Sequence, residues 1–95
     1  WMVPGGNSIA VETSKLMEKY DLAIWAHHGM FAAGFDFDLT FGLMHTAEKS
    51  AEILIKVLSI QPTKLQTITP NNFRELAKDF SVNLDEKFLY EKGNN

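Results

Sequence analysis

The chain has 95 residues, 45% apolar and 22% charged, which is the composition of one ordinary globular domain. Its net charge of −3 and its lack of a basic tract argue against nucleic acid or an anionic membrane as a partner. The absence of cysteine excludes disulfides, thiolate metal ligands and cysteine nucleophiles, and it is compatible with the cytoplasmic location that we expect. No apolar run approaches the roughly 18–20 residues of a membrane span.

The first predicted elements are a turn, a helix and a strand. Pro4-Gly5-Gly6 indicates a turn, and Asn7 and Ser8 are suitable helix caps. Apolar spacing predicts a helix over residues 8–20, which Asp21 ends. The apolar run at residues 22–25 predicts a buried strand, and residues 26–37 are expected to be a loop or a strand end.

A long amphipathic helix is predicted in the middle of the chain. Asp38 is the expected cap of a helix over residues 39–59, which Gln61-Pro62 ends. Glu52 and Lys56 have the i,i+4 spacing of a favourable ion pair on its polar face. The residues with helical spacing on its apolar face are Leu43, Met44, Ala47, Ala51, Leu54, Ile55 and Leu58.

Shorter elements are predicted after this helix. They are a strand at residues 65–67, a helix capped by Thr69 and ending near Phe80, and a short helix over residues 84–90 capped by Asn83. A polar, frayed tail is expected at residues 91–95. One or two strands cannot form a sheet that covers these helix faces. We therefore expect an α/β fold of which this chain holds a mostly helical part, with more of the sheet in a missing segment or in other chains.

Two adjacent histidines follow the predicted strand. Side chains alternate along an extended segment, so we expect His27 and His28 to point in opposite directions. A histidine at the carboxyl end of a strand is well placed to bind a ligand, and Gly29 allows a sharp turn or a close approach. From these residues alone, a structural histidine with a hydrogen-bonded ring is favoured, because a catalytic zinc needs three protein ligands.

Other side chains of the types that act in catalysis or metal binding have simpler structural interpretations. His45 and Glu48 have the i,i+3 spacing of a metal pair in a helical bundle, but their polar helix face predicts exposure to solvent. Asp36 and Asp38 have the spacing of an acid–base pair. Capping of the helix by Asp38, with Asp36 in the loop, is the favoured interpretation.

Residues 21–57 resemble the class II aldolase family. In that family an apolar strand ending in His-Gly, here His28-Gly29, precedes a long helix. The helix of this chain carries Thr-Phe-Gly-Leu at residues 40–43 and Thr-Ala-Glu-Lys-Ser-Ala at residues 46–51. Val3-Pro4-Gly5 ahead of the first helix extends the likeness, which covers nearly the whole chain. His-Gly alone is not specific, whereas the long-helix stretches are much more so.

The resemblance implies an αβα fold and a zinc ion, Zn²⁺, held by three histidines. Two of these come from a His-x-His pair earlier in the family's chain, and the third matches His28. His27 has no ligand role in the family. The proton-transferring glutamate and the phosphate site also lie in that earlier part. We therefore expect residues 1–95 to be the carboxy-terminal part of one aldolase domain, with the amino-terminal part missing and no catalytic residue present.

The resemblance also implies a reaction and an assembly. Family members cleave a ketose 1-phosphate to dihydroxyacetone phosphate and an aldehyde, with zinc stabilising the enediolate. They form fourfold-symmetric tetramers, so we expect a homotetramer, in which Phe88 and Tyr90 are candidates for packing against a neighbour. We expect the isolated chain to be inactive and to bind zinc weakly or not at all.

Two alternatives stay open from the sequence. Fuculose-phosphate aldolase and ribulose-phosphate 4-epimerase share the strand-end His-Gly, so this motif does not distinguish among the reactions of the family. A helical interaction or assembly module without catalysis is the alternative from another class. That module predicts no role for His28 in zinc content or activity.

Overall fold

The computed structural model describes residues 1–89, which belong to two compact units. The first unit, Trp1–Ile60, contains helix α1, strands β1 and β2 and helix α2. The second unit begins at Gln61 and contains helix α3 and a short 3₁₀ helix. In this described part of the chain, no helix combines the length and the apolar character that crossing a membrane requires.

Helix α1 spans Asn7–Met17 and is shorter than predicted. Its N-cap residue is Gly6 and no side chain caps it, so the prediction of caps at Asn7 and Ser8 was wrong. At its other end the backbone N–H groups of Lys19 and Tyr20 both donate to the carbonyl of Leu16, at 3.0 and 2.9 Å. The helix therefore closes in a tight turn before residue 20.

Strands β1 (Leu22–Trp25) and β2 (Gly29–Ala32) form an antiparallel hairpin. The register pairs Leu22 with Ala32 and Trp25 with Gly29. The bounds of β1 were predicted correctly, but only Ala23 is buried and Ile24 is 74% exposed, so the expected buried strand was wrong for most of its length. Residues 29–32 form a second strand where a loop or strand end was expected. The described residues therefore contain a mostly helical arrangement with one two-stranded antiparallel sheet.

The core of the first unit lies between α1 and β1. Ile9 and Thr13 of α1 and Ala23 of β1 are the buried residues of the described chain, each 6 or 7% exposed. The indole N–H of Trp25 donates to the hydroxyl of Thr13 at 3.0 Å, which adds a polar link between the helix and the strand.

Helix α2 spans Phe37–Ile60 and is capped by Asp36. The Asp36 carboxylate accepts the backbone N–H of Leu39 at 2.8 Å, and its carbonyl accepts that of Thr40 at 3.1 Å. Asp38 lies in the first turn, so the prediction that it caps the helix was wrong, and the cap lies two residues earlier. A carboxylate in that turn still interacts favourably with the helix dipole.

The predicted ion pair on the polar face of α2 is present. Glu52 accepts hydrogen bonds from Lys56 at 2.9 Å and from Lys49 at 3.0 Å, which confirms the predicted i,i+4 pair. No residue of the helix is buried. The apolar face remains open in the described part of the chain, and Ile55 alone is 66% exposed.

The second unit is organised around α3, which spans Pro70–Asp79 and is capped by Thr69 as predicted. Thr69 and Asn72 form a reciprocal capping box.

The 3₁₀ helix, Glu86–Phe88, is capped by Asp85, so the predicted Asn83 cap and longer helix were wrong within the described residues. Residues 65–67 form no strand. Tyr90 and the predicted tail at 91–95 lie outside the described residues.

Candidate metal centre

His28 lies at the tip of the β1–β2 hairpin. Ala26, His27 and His28 form a three-residue loop between the paired residues Trp25 and Gly29. The backbone N–H of His28 donates to the carbonyl of Trp25 at 3.0 Å, which closes the turn. Both histidines therefore occupy a turn, and the predicted alternation along an extended segment does not apply to them.

His27 adopts an uncommon backbone conformation. Its φ of 60° lies in the left-handed region that favours glycine. His27 is the third residue of the turn closed by the hydrogen bond from His28 to Trp25. This is the position that takes a positive φ in type II turns. The sequence contains no Asn-Gly or Asp-Gly pair at this loop, so it gave no strong hairpin signal.

The imidazole of His28 is exposed and is open to an external ligand. Its ring centroid lies 5.4 Å from that of Trp25, with the two planes tilted by 32°. In residues 1–89, no hydrogen bond reaches its ring nitrogens. The hydrogen-bonded structural histidine favoured by the residues alone is therefore absent from the described chain.

Trp25 connects His28 to the body of the first unit. Its ring is stacked with that of Phe31 at a centroid distance of 6.3 Å and an interplanar angle of 5°. Its N–H is held by Thr13, so both the face and the edge of the indole have defined contacts. Sequence reasoning missed this role, although a tryptophan three positions before the candidate ligand was a visible signal.

The other candidate residues, His45, Asp36 and Asp38, do not form a metal site with His28 in the described part of the chain. His45 is exposed on α2, with its ring edge-on to Phe41 at 6.1 Å. The Asp36 carboxylate caps the helix, which accounts for it without an acid–base role. Across the residues that the structure describes, no three His, Asp or Glu side chains come together as metal ligands.

The fit of a zinc ion to these residues is limited to one donor. An exposed imidazole with open nitrogens is a suitable zinc ligand. A catalytic zinc needs two more protein ligands, which the described residues do not supply. The described residues therefore offer a zinc ion one donor, the imidazole of His28.

An apolar groove of about 600 Å³ runs between α1 and the hairpin. Ile9, Thr13, Trp25 and Phe31 are among its lining residues, and His28 is not. The carboxyl groups with shifted pKa values also lie elsewhere. The pKa of Glu52 on α2 is lowered by its hydrogen bonds to Lys56 and Lys49.

Comparison with known proteins places these features in a sequence family. Residues 1–55 match the family described as class II aldolase and adducin N-terminal domain. A rhamnulose-1-phosphate aldolase of Klebsiella pneumoniae subsp. pneumoniae is 50% identical over 82 residues, which are 86% of this chain and 29% of that protein. Those of Citrobacter koseri and Salmonella agona are 48% identical over 82 residues. The chain spans about three tenths of the length of these curated relatives.

Proposed function

Because the chain belongs to the class II aldolase and adducin family, we propose that the protein carrying it is a metal-dependent aldolase. The proposed reaction is the cleavage of L-rhamnulose 1-phosphate to dihydroxyacetone phosphate and L-lactaldehyde, in rhamnose degradation. The observation that carries this proposal is the 50% identity to a rhamnulose-1-phosphate aldolase over 86% of the chain. Since that likeness spans only 29% of the relative, the activity is assigned to the complete protein.

The chain is proposed to be the carboxy-terminal part of one αβα domain. Two observations support this part of the proposal. The described residues hold no three-ligand metal group, and their buried apolar residues are limited to Ile9 and Ala23. An additional segment of the same domain would supply the other zinc ligands, the catalytic base and the phosphate site. The isolated chain is then inactive.

His28 is the residue proposed to hold the zinc. Its open ring nitrogens and its position at the hairpin tip support this role, and the turn hydrogen bond to Trp25 fixes its backbone. When bound, a zinc held by neutral imidazoles acts as a Lewis acid toward the substrate oxygens that gain charge as the carbon–carbon bond breaks. In this proposal the chain contributes one imidazole donor to the zinc.

The proposal extends to the assembly and location of the protein. The open apolar faces of α2 are compatible with burial in a homotetramer or against the rest of the domain. We place the protein in the cytoplasm, in keeping with its lack of cysteine. The measurement that addresses assembly is the mass of the complete protein in solution, and a monomer would contradict the tetramer.

Turnover of candidate sugar phosphates by the complete protein tests the proposed reaction. L-Rhamnulose 1-phosphate is expected to be cleaved faster than L-fuculose 1-phosphate, and ribulose 5-phosphate is not expected to be epimerised. Faster cleavage of fuculose 1-phosphate, or epimerisation, would replace the proposed reaction with the corresponding one from the same family. Absence of every one of these activities, with zinc present, would favour the non-catalytic module.

A further inference from the structure

Beyond the metal-ligand role of His28, and resting on the proposed function, we propose that Trp25 is a positioning residue for that ligand and that Thr13 fixes Trp25. A chain of contacts from the core of the first unit then holds the hairpin-tip imidazole in a single orientation.

The contacts form a continuous path. Thr13 is 7% exposed and belongs to the buried set between α1 and β1, so its hydroxyl has a fixed position. That hydroxyl accepts the indole N–H of Trp25 at 3.0 Å. The indole ring then lies 5.4 Å from the imidazole of His28. Solvent exposure rises along this path, from buried Thr13 through half-buried Trp25 to exposed His28.

Phe31 completes the support on β2. Its ring is nearly parallel to that of Trp25, with 5° between the planes. Stacking of this kind restrains an aromatic ring, but a stacked ring can still slide or rotate within its plane. The hydrogen bond to Thr13 removes this freedom, because it fixes the direction of the indole N–H.

An exposed imidazole requires such support to act as a good ligand. Its side chain loses rotational freedom when it binds a metal, and that loss weakens binding. Groups that hydrogen-bond to a ligating histidine and orient it commonly contribute about 10–100-fold to metal affinity. A ring contact restrains the imidazole in the same way but less tightly, so we expect the lower end of this range for Trp25. No hydrogen bond within residues 1–89 orients the His28 ring, so its contact with Trp25 is the described restraint.

The test uses substitutions that alter single contacts in the complete protein. Thr13→Val keeps the side-chain shape and removes the acceptor, whereas Thr13→Ser keeps the hydroxyl. Trp25→Phe keeps an aromatic ring beside His28 and removes the donor. Thr69→Val is the matched control, because it deletes a threonine hydroxyl bond at the start of α3 in the second unit. Zinc affinity is measured by chelator competition, and ligand geometry by the visible spectrum of the Co²⁺-substituted protein.

The expected results follow from the shared hydrogen bond. Thr13→Val and Trp25→Phe each lower zinc affinity about tenfold and alter the cobalt spectrum. Thr13→Ser and Thr69→Val retain the affinity and spectrum of the parent. The double variant Thr13→Val/Trp25→Phe is no weaker than Trp25→Phe alone, since both changes break one bond.

Two results would overturn the positioning role while leaving the proposed function intact. One is loss of zinc in His28→Ala together with unchanged affinity and spectrum in Thr13→Val and Trp25→Phe. The other is an equal loss of affinity in Thr69→Val, which would indicate general destabilisation. A parent protein that binds no zinc, or a His28→Ala variant that keeps its zinc, would overturn both proposals.

Discussion

The carboxylate of Asp36 accepts the backbone N–H of Leu39 at 2.8 Å and thereby caps α2. Loss of a side-chain cap leaves a backbone donor without its partner and costs about 1 kcal/mol. Asp36→Ala is therefore expected to lower the free energy of unfolding by about this amount. Asp38→Ala removes only a charge from the first turn and should cost about 0.3–0.5 kcal/mol. Chemical unfolding of both variants of the complete protein measures the difference, and equal losses would contradict the assignment of the cap.

The pKa of Glu86 provides a test in the second unit. Arg74 donates to both carboxylate oxygens, from Nε at 3.0 Å and from Nη2 at 2.9 Å, and this lowers the pKa of Glu86 below its ordinary value of 4.5. Because the folded pKa is the lower one, the stabilising contribution is present above about pH 4.5. It is lost as the pH falls through the folded pKa.

Arg74→Gln is expected to return the pKa of Glu86 toward 4.5. NMR chemical shifts of the carboxyl carbons, followed across about pH 2–6 where carboxyl groups titrate, measure this change. Glu52, which is paired with Lys49 and Lys56, is the internal control and should titrate as before. An unchanged pKa of Glu86 in the variant would show that Arg74 does not cause the shift.

The left-handed conformation of His27 predicts an unusual response to substitution. Glycine adopts φ near 60° without a steric penalty, so His27→Gly should stabilise the hairpin or leave it unchanged. The β-branched variant His27→Val should destabilise the protein by about 1–2 kcal/mol. Thermal unfolding of the complete protein provides the comparison. If His27→Val were as stable as His27→Gly, the turn would have to differ from the one described.

Gly34 makes a close approach to Thr40. A Cβ atom at position 34 would lie 2.5 Å from Thr40 Oγ1, which itself donates to the carbonyl of Asp36 at 2.6 Å. Gly34→Ala is expected to displace this hydroxyl and to cost about 1 kcal/mol of stability. Gly42→Ala is the control, because a Cβ there meets nothing within 4 Å.

A Thr40→Ala protein tests whether crowding against Thr40 causes the loss of stability in Gly34→Ala. If the displaced hydroxyl is responsible, Gly34→Ala should cost much less in a Thr40→Ala protein than in the parent. Unfolding free energies of the single and double variants complete this cycle. Additive effects of the two substitutions would contradict the proposed clash.

The elements that sequence predicted well are those with strong local signals. Thr69-Pro70 combines a cap with proline at the first helical position, and α3 begins there. The apolar periodicity of α2 and the pair of Glu52 with Lys56 also depend on neighbours in sequence. Local rules were sufficient in each case, because every partner lies within one or two helical turns.

The failures occurred where the outcome depends on distant partners. Strand β2 forms because β1 lies opposite it, whereas residues 65–67 have no described strand to pair with. Whether Asp36 or Asp38 caps α2 depends on where the chain leaves the hairpin and the helix begins, and the observed cap is Asp36. Both required information on tertiary contacts that periodicity does not contain.

The candidate site shows the same limit. The position of His28 after an apolar strand was predicted from sequence, and its ligand role from the family resemblance. The bond between Trp25 and Thr13 was not predicted, because it joins residues 12 apart through the packing of α1 on β1.

The zinc content of the complete protein tests the central claim that His28 is a metal ligand. We predict stoichiometric zinc in the parent and in His27→Ala and His45→Ala, and loss of zinc and of aldolase activity in His28→Ala, because a lost ligand is not replaced. Elemental analysis of the four purified proteins after dialysis against a weak chelator gives the answer. Full zinc content in His28→Ala, or its loss in His27→Ala with His28 intact, would contradict the account.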